Sequence, residues 1–243
     1  MRTRNARLAA VHSPFRFAAL RHPEHAGVIE RVLAIPPKPF DRRVVSFLTE
    51  VEVDALLAAP DRATFLGRRD HALLLTAVQT GLRVTELVGL CIGDVVLDAG
   101  PHVRCLGKGR KERATPLTSQ STQVLRSRLD ERGGTVADPV FSTTPGGALS
   151  RYGVAAIVER HAASAAAGCP SIASKTVSPH VLRHIAAMRL LHAGVDTTVI
   201  ALWLGHEGVE TTQMYVHADF TLKEKAVARI TPIDSAPGHY RPG

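Results

Sequence analysis

One segment of short β-prone runs, at residues 94–117, interrupts a chain whose other patterned stretches have helical spacing. Its sequence is DVVLDAGPHVRCLGKGRKERATPL. Val95, Val96 and Leu97 come before a DAGP turn, and HVRCL is followed by a tight GKGR turn and KERATPL. Short β-prone runs separated by glycine-containing turns are typical of antiparallel hairpins. The sequence therefore predicts three short antiparallel strands within a mainly helical α+β fold.

Helical periodicity and capping residues predict the elements around this sheet. Thr49 followed by Glu52 has the spacing of a capping box, which predicts a helix over 47–59. A buried helix within 68–90 is expected to end at Gly81 in a left-handed conformation, and a second short helix follows. The remaining predicted helices lie at 118–131, at 151–167 after the N-cap Ser150, from Pro179 after the N-cap Ser178 to Gly194, at 196–204 up to Gly205, and around Tyr215.

Residues 1–45 lack this patterning and are predicted to be irregular. Their apolar residues are grouped in two short stretches, FRFAAL and VIERVLAI. Pro36, Pro37 and Pro39 then forbid a helix and indicate a linker.

Composition bears on the partner and the compartment. The formal net charge of +8 favours a polyanion such as the phosphate backbone of a nucleic acid, although a soluble basic protein would have the same charge. Cys91, Cys105 and Cys169 are widely spaced, without a C-x-x-C pair, which argues against a disulfide framework or a cysteine zinc site. The longest apolar run, 72–78, is far shorter than the roughly 20 residues that span a bilayer. We therefore expect a soluble cytoplasmic protein.

Two interpretations of the C-terminal polar residues explain them only in part. His180 and His184 are four residues apart, a spacing that can chelate zinc, but the H-E-x-x-H glutamate and an obvious third ligand are missing. Residues 186–206 resemble a DNA-reading helix-turn-helix with its turn at Gly194. A helix-turn-helix would give no role to Arg83, just after Gly81, or to Lys108 in the predicted hairpin.

A phosphoryl-transfer centre accounts for all of these residues together. Metal-free cleavage of a phosphodiester needs a nucleophile, cations for the non-bridging oxygens and an acid for the leaving oxygen. Arginine suits the second task because its planar fork binds two phosphate oxygens. Taken singly, each candidate is equally compatible with a surface cation, a helix cap or a packing tyrosine. The candidates are Arg83, Lys108, His180, Arg183, His206 and Tyr215.

Five motifs, TGLRVTEL, GKGRKER, HVLRH, LGH and TTQMY, follow one another with the order and spacing of the tyrosine recombinase (phage integrase) family. The resemblance covers about residues 46–217. It implies a helical catalytic domain with a small three-stranded sheet. It also implies a site-specific DNA recombinase or integrase, or a transposase, that cleaves and rejoins DNA strands through a 3′-phosphotyrosyl intermediate, with no metal and no ATP.

The same resemblance implies roles for the matched residues in phosphate binding and attack. Arg83 and Arg183 would clamp the scissile phosphate, and Glu86 would hold Arg83 in place. Tyr215 would be the nucleophile.

Proton transfer is assigned by the resemblance as well. Lys108 would protonate the 5′-hydroxyl leaving group, His180 would assist proton transfer at the nucleophile, and His206 would donate to a non-bridging oxygen. Many family members carry threonine and an aromatic residue after the HVLRH motif, where this chain has Ile185 and Ala186. This difference alters packing behind the site and no catalytic group.

The resemblance also divides the chain and suggests its partners. Residues 1–45 would be a remnant of the N-terminal core-binding region with its proline-rich linker, 46–230 the catalytic domain, and 231–243 a flexible tail. Because the first region is short, we expect weak DNA binding. The expected partners are double-stranded DNA and further copies of the chain in a synaptic tetramer, with no membrane and no small-molecule substrate. The alternative is a non-catalytic or truncated DNA-binding regulator that uses the helix pair at 186–206.

Overall fold

The computed structural model of the chain describes residues 2–38, 47–107 and 112–205. The chain separates into two compact units, Met1–Val44 and Val45–Gly243. In the described parts, no helix has the length and apolar character needed to cross a membrane.

The described part of the first unit contains two α-helices. Helix α1 (Arg2–Ala19) packs against α2 (Ala26–Leu33), and His12 Nε2 lies 3.0 Å from the carbonyl oxygen of Val32. The prediction that residues 1–45 are irregular is therefore wrong for these two segments. Alanine, arginine and leucine favour helix without forming an apolar stripe, so hydrophobic periodicity could not reveal α1. Pro14 lies inside α1, which further weakened the helical signal.

The second unit is mainly helical, as predicted. Its sheet contains three antiparallel strands in the order β1 (Val95–Val96), β2 (His102–Leu106) and β3 (Glu112–Pro116). The three predicted strands are thus confirmed. Its helices are α3 (Glu50–Ala58), α4 (Phe65–Thr80), α5 (Val84–Val88), α6 (Ser119–Arg132), α7 (Arg151–Ala165), α8 (Pro179–His192) and α9 (Thr197–Leu204). The helix predicted around Tyr215 and the tail at 231–243 lie outside the described residues.

Local capping explains where several helices begin. The predicted capping box of α3 is present: the Glu52 backbone N–H donates to Thr49 Oγ1 over 3.3 Å, and the Thr49 N–H donates to Glu52 Oε2 over 2.7 Å. Ser150 accepts a hydrogen bond from the Gly153 N–H over 3.0 Å at the start of α7. Ser178 occupies the N-cap position of α8, but its side chain makes no capping hydrogen bond. Pro179 supplies the helical φ of the first turn there.

Helix α4 runs through the centre of the second unit and contacts both α6 and α8. Its side chains Leu73, Leu74 and Val78 are fully buried in the main apolar core. A smaller apolar cluster joins the end of α8 to α9 through residues that include Met188 and Ile200. Helix α8 also packs against α4, and Trp203 of α9 donates from Nε1 to the Thr80 carbonyl at the end of α4 over 3.1 Å.

Gly81 closes α4 at the point where α8 and α9 meet it. Its φ is 65°, in the left-handed region, and its N–H donates to the Ala77 carbonyl over 3.0 Å. A Cβ atom at this position would lie 2.5 Å from Leu204 Cδ2 and 3.0 Å from Ala186 Cβ. The backbone conformation and the tight packing both require glycine.

Gly81→Ala should therefore destabilise the protein more than the same change at Gly100. Gly100 also has a left-handed φ, 67°, but no atom lies within 4 Å of its Cβ direction. Gly100→Ala should lower the free energy of unfolding by about 1–2 kcal/mol, the backbone cost alone. Gly81→Ala should lose roughly 1–3 kcal/mol more through overpacking. Denaturant unfolding of both variants measures the difference, and equal losses would show that the packing at Gly81 is unimportant.

Candidate active site

Three residues predicted from the sequence lie around one pocket. The pocket has a volume of about 250 Å³. It lies between the start of α5 and the start of α8, and it is lined by Arg83, Val84, Thr85, Pro179, His180 and Arg183. The structure thus brings Arg83 together with His180 and Arg183, which come about a hundred residues later in the sequence.

Arg183 is held by the carbonyl ends of two helices. Its side chain is buried, with the residue 4% exposed. Nη1 donates to the Gly81 carbonyl over 2.6 Å, and Nη2 donates to the Leu204 carbonyl over 2.6 Å. Both carbonyls lie at helix C-termini, where the helix dipole places partial negative charge. These bonds fix the plane of the guanidinium and stabilise its positive charge in a buried position.

Arg83 lies at the N-cap of α5 and is more open than Arg183. Its side chain is 33% exposed. Nη2 donates to the Gly205 carbonyl over 2.6 Å, and Nη1 donates to Glu86 Oε1 over 3.0 Å. Both arginines are therefore anchored to the C-terminal end of α9, and Arg83 keeps an accessible edge at the pocket.

Glu86 is a buried carboxylate that accepts hydrogen bonds from both Arg83 and Arg113. Its side chain is 3% exposed, yet both oxygens are fully hydrogen-bonded. Arg113 donates from Nη1 to Oε1 and from Nη2 to Oε2, each over 2.8 Å, while Arg83 also donates from its backbone N–H to Oε2 over 2.7 Å. Burial raises the pKa of Glu86, but the bonds from Arg113 and then from Arg83 outweigh it and hold the pKa below its ordinary value. Glu86 is therefore ionised at neutral pH.

Arg113 was not among the residues predicted for the site, although it belongs to the GKGRKER motif. It lies on β3 opposite Cys105 of β2. Arg113 and the buried Thr115 are two residues apart and so share the inward face of β3. An arginine on the inward face of a strand requires a buried acceptor, and this is the signal that could have identified it.

The two histidines of α8 differ in exposure. His180 is exposed, whereas His184 is buried, and their ring centroids lie 4.6 Å apart in an edge-on arrangement. Burial, with the charges of His180 and Arg183, lowers the pKa of His184 to about 4. Desolvation by the surrounding protein, with the charge of Arg183, also places the pKa of His180 below its ordinary value. Both rings are therefore neutral at pH 7, and His180 can accept a proton.

Lys108, His206 and Tyr215 lie outside the described residues. Strand β3, which follows Lys108 in the chain, provides Arg113, and Gly205 precedes His206. A Cβ atom at Gly205 would lie 2.6 Å from Arg113 Nη1, so the described ends of both segments reach the same site.

The geometry of the described residues does not favour the two other interpretations, a zinc site and a DNA-reading helix-turn-helix. In the described part of the chain, no group of three or more histidine, cysteine, aspartate or glutamate side chains is placed to hold a metal ion. Helices α8 and α9 form the described part of the pair predicted at 186–206, but the apolar face of α9 is buried through Ile200 and Leu204. The end of α9 is bound to the two arginines of the pocket.

Comparisons with known proteins identify relatives along the whole of the second unit. The sequence model of the phage integrase family matches residues 46–221. The protein y4rC of Sinorhizobium fredii strain NGR234, whose name assigns it to the integrases/recombinases, is 52% identical over 242 residues, which are 100% of this chain and 73% of the relative. Tyrosine recombinase XerC of Pelobacter propionicus is 38% identical over 216 residues, which are 87% of this chain and 67% of the relative.

A solved structure shows the same fold. The XerH site-specific recombinase, bound to palindromic difH substrate in a post-cleavage complex, superposes with a TM-score of 0.68 at 25% identity. The match covers 81% of this chain and 57% of the XerH chain. The present chain therefore spans somewhat more than half of the length of that recombinase.

The lowered pKa of His184 predicts a pH dependence of stability. Above pH 6.5, its ordinary pKa, both the folded and unfolded states are neutral at this ring. Between pH 6.5 and about 4 the unfolded state binds a proton that the folded state does not, so the free energy of unfolding falls as the pH falls. The loss from this residue should reach about 3 kcal/mol at pH 4.

His184→Gln removes this titration. Denaturant unfolding between pH 8 and pH 4 should show a shallower decline of the free energy of unfolding for the variant. The difference between the two slopes should correspond to the uptake of close to one proton on unfolding. The constant packing cost of the substitution is measured at pH 8 and subtracted. Parallel curves for the two proteins would show that His184 has the same pKa in both states.

Proposed function

The chain belongs to the phage integrase family of tyrosine recombinases, which are DNA strand transferases, and on this basis we propose that it cleaves and rejoins double-stranded DNA through a bond to Tyr215. The observation that carries the proposal is the pocket at which Arg83 and Arg183 converge from two distant parts of the sequence. A pocket with two fixed guanidinium groups suits a phosphate with two non-bridging oxygens. The XerH relative was solved with a DNA substrate, which supports DNA as the substrate here.

In the proposed reaction the Tyr215 oxygen attacks the scissile phosphorus. The bond between phosphorus and the 5′-oxygen breaks, and the leaving oxygen takes a proton from Lys108. The DNA strand then ends in a 3′-phosphotyrosyl ester, and attack by a 5′-hydroxyl of another strand reverses the step. No ATP is required, because one phosphoester bond replaces another at each step.

The described residues supply charge stabilisation and proton transfer to this reaction. Arg183 is pre-positioned by its two carbonyl bonds, so its charge needs no reorganisation when negative charge develops on phosphorus. Arg83 uses two of its five N–H donors on Gly205 and Glu86, and the others can bind phosphate oxygens. His180, neutral and exposed at the pocket, accepts the tyrosine proton. His206, which lies outside the described residues, would donate to a non-bridging oxygen.

The proposal extends to assembly and location. Exchange between two duplexes requires four strand cleavages, and each chain provides one Tyr215, so four copies would act together on DNA. Residues 1–45 would contribute to DNA binding as a remnant of a core-binding region, ahead of a catalytic domain at 46–230. We place the protein in the cytoplasm, where its DNA substrate would be accessible. A non-catalytic DNA-binding regulator would need neither the paired arginines nor the buried Glu86.

The nucleophile can be tested on DNA of random sequence, so the target site need not be identified first. Short duplexes with a randomised centre and a nick in one strand are incubated with the protein, and DNA that remains attached after denaturation is recovered and sequenced. We expect covalent adducts from the unmodified chain and from Tyr152→Phe, because Tyr152 is 84% exposed on α7, away from the pocket. Tyr215→Phe should form none while its DNA affinity changes little, since only the attacking oxygen is lost. Adducts from Tyr215→Phe would assign the nucleophile elsewhere.

DNA binding by residues 1–243 should be dominated by phosphate contacts, given the net charge of +8. The logarithm of the binding constant should then fall linearly with the logarithm of the salt concentration, with a slope of about −0.9 for each phosphate neutralised. A duplex in which contacted phosphates are replaced by neutral methylphosphonates is the control, and its slope should be shallower. Tight binding that is insensitive to salt would contradict this account.

A further inference from the structure

The carboxylate of Glu86 is shared unequally between two arginines. Arg113 approaches it with two guanidinium nitrogens, one at each oxygen, both at 2.8 Å. Arg83 approaches with a single guanidinium nitrogen at 3.0 Å and with its backbone N–H. An ionised carboxylate offers about four lone-pair positions, and these four donors occupy them. Glu86 is thus fully satisfied, with Arg113 as its bidentate partner.

The two arginines also differ in the solvent exposure of their side chains. The Arg113 side chain is 12% exposed, against 33% for Arg83. Arg113 does not line the pocket, whereas Arg83 does. The Arg113–Glu86 pair therefore forms a buried unit with no net charge, and Arg83 carries the remaining positive charge of the three residues at the pocket surface.

We infer that Arg113 is a positioning residue that neutralises Glu86, so that Arg83 presents an uncancelled positive charge to the scissile phosphate. This inference rests on the proposed function. Without Arg113, the charge of Glu86 would be balanced by Arg83 alone, and the guanidinium would be drawn toward the carboxylate. A buried ion pair that lost one partner would also leave the carboxylate undercompensated.

The packing around Gly205 links Arg113 to Arg83 a second time. The Gly205 carbonyl accepts a hydrogen bond from Arg83, and Arg113 lies so close to Gly205 that a Cβ atom there would be 2.6 Å from Nη1. The φ of Gly205 is 64°, which also favours glycine. Arg113 thus packs against the residue whose carbonyl orients Arg83.

A charge-suppression experiment tests the inference. Arg113→Gln, Glu86→Gln and the double variant are compared for their rate of covalent adduct formation on a single nicked duplex recovered from the randomised pool. Arg113→Gln should slow the reaction about 10²-fold, the scale of removing one transition-state donor. Adding Glu86→Gln removes the unbalanced carboxylate, so the double variant should regain at least about 10-fold of that rate. Arg126→Gln, which loses an exposed arginine paired with Asp98, should react like the unmodified chain.

Recovery in the double variant is the result that loss of a merely packed Arg113 side chain would not give, because only a residue whose role is to balance the charge of Glu86 becomes dispensable once that charge is removed. A double variant as slow as Arg113→Gln, or slower, would overturn the inference, as would an unchanged rate for Arg113→Gln. If Arg113→Gln does not fold, Arg113→Lys replaces it, since lysine keeps the charge and loses the fork. The lysine variant should then slow the reaction by less than the roughly 10²-fold expected for loss of the charge, and a complete loss of activity would contradict the role in neutralisation.

A second measurement separates this inference from the proposed function. Inorganic phosphate should raise the melting temperature of the unmodified chain, because a ligand that binds the folded state stabilises it. The shift should be lost in Arg113→Gln and restored in the double variant. Absence of adducts from the unmodified chain would refute the proposed function, whereas the phosphate titration would still decide whether Arg113 controls the charge at Arg83. An equal phosphate shift in all variants would overturn the inference.

Discussion

The buried guanidinium of Arg183 is the interaction on which the rest of the site depends. It joins the carbonyl at the end of α4 to the carbonyl at the end of α9. Both helices end in a left-handed glycine, Gly81 or Gly205, which turns the chain and leaves carbonyl groups facing the arginine. Two helix C-termini therefore stabilise a positive charge that would be costly to bury alone. The same convergence places Arg83 beside Arg183.

The charges of the described residues suit the proposed phosphoryl-transfer reaction. Arg83, Arg113 and Arg183 carry three positive charges, and Glu86 carries one negative charge, so the group has a net charge of +2. A phosphodiester has a single negative charge in its ground state, and the pentacovalent transition state has two. Net charge of this size therefore favours the transition state over the bound substrate, which is the condition for catalysis. Fixed bonds to carbonyls and to Glu86 keep the arginines in place before DNA binds.

Local signals in the sequence predicted much of the fold but only part of the site. The capping box at Thr49 and Glu52 and the glycine that ends α4 depend on residues a few positions apart, so sequence spacing was sufficient. The partner of Arg113 is 27 residues away in sequence, and Arg183 is bonded to a carbonyl 102 residues away. Such contacts exist only after folding, and no spacing rule reveals them. Helix α1 was missed because its residues favour helix without an apolar stripe. The roles of Lys108, His206 and Tyr215 rest on the family resemblance.

The most direct test of the proposed site is a crystal structure of the Tyr215→Phe variant bound to an uncleaved duplex recovered from the randomised pool. We expect one phosphate in the pocket, with its non-bridging oxygens within hydrogen-bonding distance of the guanidinium groups of Arg83 and Arg183. We also expect Arg113 to remain bound to both oxygens of Glu86. A scissile phosphate held by other residues, with the pocket between α5 and α8 facing away from the DNA, would contradict the proposed site.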